Sequence, residues 1–498
     1  MAALCAPGAV GAEPAPKSAA DWQAMARADL DAVHALILSA HPGVIDQQNP
    51  DFGHWSETGY QQALKLMPQV ISYDTAMSAV RFYVSGFLDG HMGYSDNARH
   101  DYPVYTDGWA VGMVRGEYIV TATLDNWQST LPPVGAKLMD CDGRSPETIV
   151  REDVAPYVDR RDFPAVRDDL AVLIDTLHLS GVELKRCRFS AADGATLAID
   201  VKYQAVPDQQ FWSLTKYHGV STHKNTWNLS DGVLWIHAAN FNLQPGTSDI
   251  DELNAMLKAM PALRDVRQIV FDVRGNGGGD SSVGERIFEA ATGGLEFDTD
   301  GIDKLPHMYA QWRVSDVLES NISYYVGQRA QLYGEHSEKV AWLSEFLAKI
   351  KAAKAAGEPW VVQDGGTDIT RAEVERRHGK LRHFDGAVAL LTDYRCASAC
   401  LDFADVVRRV PGSVHLGQTT SADTVYLEAG STLLPSGNRL LMPMKVWRNR
   451  ARGNNQPLVP DIALNVDMSD DVAVRTATLA ALNAAQATVK ASVAASPN

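Results

Sequence analysis

The sequence predicts a multidomain α/β protein in which a helical segment and a β-rich segment precede a larger part built from alternating strands and helices. Three observations predict it. Apolar residues recur at helical spacing between Ser18 and Gly90, short alternating runs broken by Gly and Asp fill residues 101–206, and continuous apolar runs alternate with amphipathic stretches from residue 207 onward. At 498 residues the chain has room for about three domains. Its 45% hydrophobic and 21% charged residues are the mix of a soluble globular protein and exclude disorder over most of the length.

The first segment, residues 2–12, is uncharged, rich in small residues and ends in Val10-Gly11-Ala12. It resembles the end of a secretory signal peptide, and residues 1–12 are therefore expected to be its remnant, with the mature chain periplasmic or secreted; a plain Ala-rich tail is the other reading. Residues 18–100 read as a helical domain of three or so helices. Leu30, Val33, Leu36 and Ile37 share one face, Ala76, Ala79, Val80, Tyr83, Val84 and Phe87 another, and the segment closes on Leu88-Asp89-Gly90-His91. Residues 101–206 contain strand-like runs such as Tyr118-Ile119-Val120-Thr121 and Leu197-Ala198-Ile199-Asp200-Val201. Within them, Val134 to Gly143 resembles the second half of a PDZ domain, so a PDZ-like β-rich domain is expected. A β-rich insert without peptide binding is the alternative, because no glycine-rich carboxylate-binding loop stands near Trp109 to Met113.

In the α/β part, residues 207–480, Val233-Leu234-Trp235-Ile236 and Gln268-Ile269-Val270-Phe271-Asp272-Val273 read as buried strands with a helix over 251–259 between them. The second strand runs into Arg274-Gly275-Asn276-Gly277-Gly278-Gly279-Asp280 and then a helix through Val283, Ile287 and Phe288. Residues 315–356 are polar and helical, an expected insertion. The strand Ala387-Val388-Ala389-Leu390-Leu391-Thr392 leads to Cys396-Ala397-Ser398-Ala399-Cys400 and a helix with Leu401, Phe403, Val406, Val407 and Val410. The Ala-rich tail, residues 481–498, is expected to fray.

Net charge is −16, which repels phosphate backbones and anionic lipid, so nucleic acid is not an expected partner. No run approaches the ~20 apolar residues of a membrane span. The five cysteines, at 5, 141, 187, 396 and 400, include no CxxC pair, and the fourteen histidines form no HExxH motif, so neither a metal nor a cofactor is expected.

Chemistry concentrates at two strand-to-helix junctions, near Gly275 and near Ser398, because helix amino ends present unpaired N–H groups to developing negative charge. The glycine run lacks the GxxxxGK[ST] of a phosphate loop, and Asp280 replaces the third glycine of a dinucleotide fingerprint. An oxyanion site or close strand packing remains. Ser398, between two alanines, is either a helix N-cap or an accessible nucleophile, and GxSxG is absent.

The run Asp272-Val273-Arg274-Gly275-Asn276-Gly277-Gly278-Gly279, followed by Ala397-Ser398-Ala399 after a second apolar strand, resembles the C-terminal-processing (tail-specific) serine peptidases. Gly417-Gln418-Thr419-Thr420 and Val459-Pro460-Asp461-Ile462 extend the likeness, which covers most of residues 20–480. The resemblance implies a crotonase-like spiral catalytic domain, a protein or peptide substrate, Ser398 as nucleophile and an oxyanion hole from the amides of Ala399 and of Gly277 or Gly278. In the bacterial branch a lysine is the base, and Asp423 stands at the matching position. An ordinary aspartate is too weak a base for a serine hydroxyl. The tricorn-like branch uses a histidine ahead of the PDZ-like domain, and His91 matches it; this is the branch the chain resembles more closely. That branch's orienting glutamate falls near Asn454 or Asn455, so Asp423 is the expected orienter of His91. The rival readings are His91 as a helix cap, Asp423 as a turn residue, and the whole chain as a noncatalytic ligand- or peptide-binding protein on the same fold. Cys396 with Cys400, and Cys141 with Cys187, are either disulfides of an oxidising compartment or buried small hydrophobes.

Overall fold

A capping box starts the first helix: Ser18 accepts the Asp21 amide while the Asp21 carboxylate accepts the Ser18 amide, opening α1 (Ala19–Ala40). After α2 (Asp51–Leu64), Ser72 and Thr75 repeat the device at α3 (Tyr73–Ser85). Leu30, Val33 and Ile37 of α1 bury against Met77, Val80 and Tyr83 of α3. A short strand, β1 (Gly93–Ser95), follows. The computed structural model describes residues 18–96, 104–175, 177–215, 223–297, 308–364 and 371–495, so the signal-like segment at 1–12 lies outside the described residues.

The second segment holds β2 (Val104–Thr106), β3 (Trp109–Val114), β4 (Glu117–Thr123), β5 (Lys137–Cys141), the short helices α4 (Pro146–Ile149), α5 (Pro164–Leu170) and α6 (Leu177–Ser180), then β6 (Arg186–Ser190), β7 (Thr196–Asp200) and β8 (Gln204–Val206). Strands β3 to β7 form an antiparallel sheet in chain order, and β2 pairs with β8 where the segment is entered and left. Cys141 and Cys187, opposite each other on β5 and β6, are joined by a disulfide. The segment is less purely β than its sequence suggests. Ile149, Val150, Val166 and Leu170, from helices too short to show a period, fill the core beside Trp109, Val111 and Phe189.

The third part begins with α7 (Asp208–Leu214), β9 (Thr226–Ser230), β10 (Val233–His237), α8 (Asp249–Ala259), β11 (Gln268–Asp272), α9 (Ser281–Thr292) and β12 (Leu295–Glu296). It continues through β13 (Tyr309–Arg313), α10 (Asp316–Tyr333), α11 (Glu338–Ala356), β14 (Trp360–Asp364), α12 (Arg371–His378) and β15 (Arg382–His383). It ends with β16 (Ala387–Thr392), α13 (Ala399–Arg408), β17 (Val414–Gly417), β18 (Tyr426–Leu433), β19 (Arg439–Arg448), β20 (Ile462–Ala463) and α14 (Asp471–Ala495). One sheet runs β20-β17-β16-β11-β10-β9 and is parallel except for the β9–β10 pair. Its central strands are apolar along their length because both faces are covered. Phe271 and Leu390 pack toward Phe403 of α13 on one face, and Val270, Ala389 and Leu391 toward Val474 and Leu482 of α14 on the other.

A second, antiparallel sheet runs β1-β19-β13-β14, with β18 also on β19. Tyr426, Leu440, Met442 and Val446 of this sheet complete the core of α1 and α3, so the amino-terminal helices are built onto the α/β part. Two expectations change. Residues 315–356 do form two helices, but Leu318, Ile322, Leu343, Phe346 and Ile350 bury with Trp312, Val361 and Met444, making the hairpin a layer of the second sheet. The tail expected to fray from residue 481 continues as helix to Ala495. Among the described residues no helix is long and apolar enough to cross a membrane.

Candidate active site

Strands β11 and β16 are parallel neighbours in register from Gln268 opposite Ala387 to Asp272 opposite Leu391, so their carboxyl ends leave the sheet side by side. The loop after β11 is the glycine run, and the loop after β16 carries Ser398. Carboxyl ends of parallel strands are where open α/β sheets bind ligands. Asp393 ties the two loops by accepting the Gly275 amide (2.8 Å) and the Arg395 amide (3.1 Å). Burial pushes its carboxyl up to about 6, against the two amides that favour the charged form. Gly278, at φ +98°, lies against the second loop: a Cβ there would sit 2.7 Å from the Ala397 carbonyl oxygen and 2.8 Å from Ser398 Cβ. No other residue fits that approach.

Ser398 has φ 54° and ψ −124°, a conformation that costs a side-chain-bearing residue about 1–3 kcal/mol. It occupies the N-cap position of α13 yet makes no capping hydrogen bond. Its hydroxyl instead lies 3.0 Å from His91 Nε2. A disulfide between Cys396 and Cys400 brackets it, with both sulfurs' residues fully buried. Ala399 opens α13, where amides have no intrahelical acceptor and the positive end of the helix is exposed to ligand. Of the two candidate glycine donors, Gly278 gives its amide to Asn276 Oδ1 (2.8 Å). The Gly277 amide has no protein acceptor among the described residues.

His91 is carried by the loop between α3 and β1, and the pairing of Gly93 with Leu441 draws that loop to the α/β part. The buried Asp89 accepts the His91 amide on Oδ1 (2.8 Å) and the Thr424 hydroxyl on Oδ2 (2.7 Å). Asp89 Oδ1 is 3.6 Å from His91 Nδ1, an ion-pair contact longer than a hydrogen bond. Burial acts to lower the histidine's pKa, but the carboxylate of Asp89, and then that of Asp423, outweigh it and hold it above the ordinary value. Asp89 itself is held low, since His91 and Thr424 outweigh its burial.

Asp423, expected to orient His91, is engaged elsewhere. Its carboxylate, 1% exposed, pairs with Arg450 Nη1 (2.9 Å) and Arg452 Nη2 (3.4 Å), and Arg452 continues to Asp402 and Asp405. The carboxylate in contact with the imidazole is Asp89, two residues before it. Nor do Asn454 and Asn455 touch the ring: Asn454 Oδ1 accepts the Val425 amide (2.6 Å), and Asn455 Nδ2 donates to the Leu88 carbonyl (2.7 Å). Gly90, between Asp89 and His91, lies against Arg161 of the β-rich segment, whose Nη2 would be 2.6 Å from a Cβ there. Arg161 also donates to the Ala422 carbonyl (2.5 Å) and pairs with Asp159 (2.6 Å), so all three segments meet behind His91.

A cavity of about 790 Å³ opens over Ser398, His91 and Gly277. Its far wall includes Tyr324 and Arg329 of α10 and Lys445 and Trp447 of β19. The hairpin is tied to the glycine loop through Asp280, which pairs with Lys339 of α11 and with Arg329 (3.7 Å). No cluster of His, Cys, Asp or Glu that could hold a metal occurs among the described residues. A hydroxyl, an imidazole with a carboxylate beside it, and unpaired amides around one cavity are the parts of nucleophilic catalysis on an acyl group.

No protein-family model and no curated protein matches the chain. Solved structures do. Mature CPAF superposes at 11% identity with a TM-score of 0.58, covering 92% of this chain and 97% of that chain. CPAF complexed with lactacystin covers 92% and 98% at 11% identity and a TM-score of 0.57. A serine-to-alanine mutant of CPAF covers 89% and 93% at 12% identity and a TM-score of 0.60. The chain thus shares the mixed α/β fold of these structures. Tricorn protease superposes more loosely, at 12% identity and a TM-score of 0.40 over 93% of this chain and 37% of that chain. The fold alone is what the CPAF likenesses show.

Proposed function

We propose that the protein is a serine peptidase that hydrolyses peptide bonds through an acyl-enzyme on Ser398, with His91 as general base and Asp89 as its orienting acid. The observation that carries it is the 3.0 Å approach of His91 Nε2 to the Ser398 hydroxyl across 307 residues of sequence. With the imidazole neutral and its proton on Nδ1 toward Asp89, Ser398 donates its hydroxyl to Nε2. As Oγ attacks the scissile carbonyl, its proton passes to Nε2, and the oxyanion is met by the Ala399 and Gly277 amides. His91 then gives that proton to the departing amine, and water, deprotonated by the same nitrogen, releases the acyl group and restores Ser398. Asp423 contributes its charge to His91 at longer range. The two disulfides support an exported, periplasmic or secreted protein, since such bonds persist in oxidising compartments.

Peptide cleavage by the wild type, and its loss by at least about 10⁴-fold in Ser398→Ala, is the expected result. A wild type that cleaves no peptide would favour the noncatalytic binding protein. Gly278→Ala is expected to slow cleavage by about 100-fold, because the added Cβ must push back Ala397 and Ser398, and displacements of that size at a reacting centre have such effects. Gly116→Ala, in the β3–β4 turn at φ +78° with nothing near the added Cβ, is expected to leave the rate of cleavage unchanged.

A further inference from the structure

A second cavity, of about 330 Å³, lies between α3 and the helices of the β-rich segment and is lined by Phe82, Val150, Ala155, Arg160, Val166 and Leu170 among others. Its walls hold four arginines, and three have acidic partners. Arg161 pairs with Asp159 (2.6 Å), Arg167 with Glu147 and Asp162 (3.5 Å each), and Arg151 with Glu152 (3.0 Å). Arg160 has no carboxylate partner among the described residues.

The Arg160 guanidinium is nevertheless held firmly. Nε donates to Ser85 Oγ (3.1 Å) and to the Pro156 carbonyl (3.2 Å), and Nη2 donates to the Phe82 carbonyl (2.6 Å). Its Cζ lies 4.1 Å from the centre of the Phe82 ring and 5.1 Å from that of the Trp55 ring. Nη1 has no protein partner among the described residues. Burial pulls the group down to about 10, so it is still charged at neutral pH. A partly buried cation without a counter-charge is unfavourable, and an anion in the cavity relieves it.

We propose that this cavity binds a small apolar carboxylate, its head on Arg160 and its body against Val150, Val166 and Leu170. Glu147, Asp159 and Asp162, which also line the cavity, are engaged by Arg167 and Arg161, so Arg160 is the one arginine left to meet a single anionic group, and the aliphatic walls call for an apolar tail. Arg161, adjacent in sequence and lining the same cavity, packs on Gly90 and holds the Ala422 carbonyl. Occupancy is therefore coupled to the His91 loop, a part of the proposal that rests on the peptidase reading.

Calorimetric titration of the full chain with sodium octanoate tests the site. Saturable one-to-one binding with a Kd below about 1 mM is expected, with 1-octanol at least tenfold weaker. Arg160→Met removes the charge at similar length, and Ala155→Phe fills the cavity while keeping Arg160; both are expected to lose at least tenfold in affinity, with thermal melting reporting that each is folded. No saturable binding to the wild type, equal affinity for octanol, or unchanged affinity in both variants overturns the site. The coupling is read from the rate at which a fluorophosphonate labels Ser398, expected to change at least twofold with octanoate in the wild type and not in Arg160→Met. Equal rates overturn the coupling. Absence of any labelling overturns the peptidase reading and the coupling with it, and the site then stands or falls on the calorimetry.

Discussion

Replacing His91 by alanine is expected to lower kcat/KM on a peptide substrate by about 10⁴-fold, close to the effect of removing Ser398 itself. The two residues act as a unit, so either loss leaves only what the amides of Ala399 and Gly277 contribute. The double variant is expected to be no worse than the single ones, the non-additivity of a shared step. His91 lies in a loop and its ring edge borders the cavity, so the fold should persist. Steady-state rates with a fluorogenic peptide, read beside the melting curve, check both statements. A His91→Ala enzyme that retains near wild-type kcat/KM would remove this residue as the base.

Asp89→Asn is expected to lower the plateau rate by about 10²- to 10⁴-fold, because the amide can hold the wrong tautomer of the ring. It also moves the pH profile, in a direction set by the charges around His91. The base acts when neutral, so activity rises as pH passes through its pKa. In the native site burial lowers that pKa but the Asp89 carboxylate outweighs it, leaving the value raised. Without that charge burial prevails, and the acid limb of kcat/KM shifts to lower pH. Asp423→Asn shifts the limb the same way but less, since its charge acts on His91 more weakly than that of Asp89. Its chief effect is on stability: Arg450 and Arg452 lose a buried counter-charge, at roughly 3 kcal/mol. pH–rate profiles of the three enzymes, with denaturant midpoints, distinguish the roles. An Asp89→Asn enzyme of normal rate beside a crippled Asp423→Asn enzyme would exchange them.

What the sequence makes legible follows from what is local. The strand-to-glycine and strand-to-serine junctions are visible because β11 and β16 are apolar throughout and each ends in small residues. Their adjacency as parallel strands, which places Gly278 against Ser398, is not visible in either stretch alone. Asp89 stands in the same short run as His91, yet its role depends on the turn that points its carboxylate back at the ring, a matter of backbone conformation at Leu88 to Gly90. Asp423 is misleading for the opposite reason. Its place in the chain aligns it with a catalytic lysine, while Arg450 and Arg452, just beyond β19, claim it through a fold-level contact. The hairpin α10–α11 does not read as a core element because its apolar residues are spread around both helices instead of gathered on one face, and only the sheet beneath it shows that Leu318, Ile322, Leu343, Phe346 and Ile350 are the buried ones.

The proposed mechanism is tested most directly by reaction with a fluorophosphonate, the adduct located by mass spectrometry and the rate followed against pH. Ser398 is predicted to carry the adduct, at a rate that rises with pH through the raised pKa of His91 and that collapses in His91→Ala. An adduct on another residue, or labelling of Ser398→Ala at the wild-type rate, would contradict it.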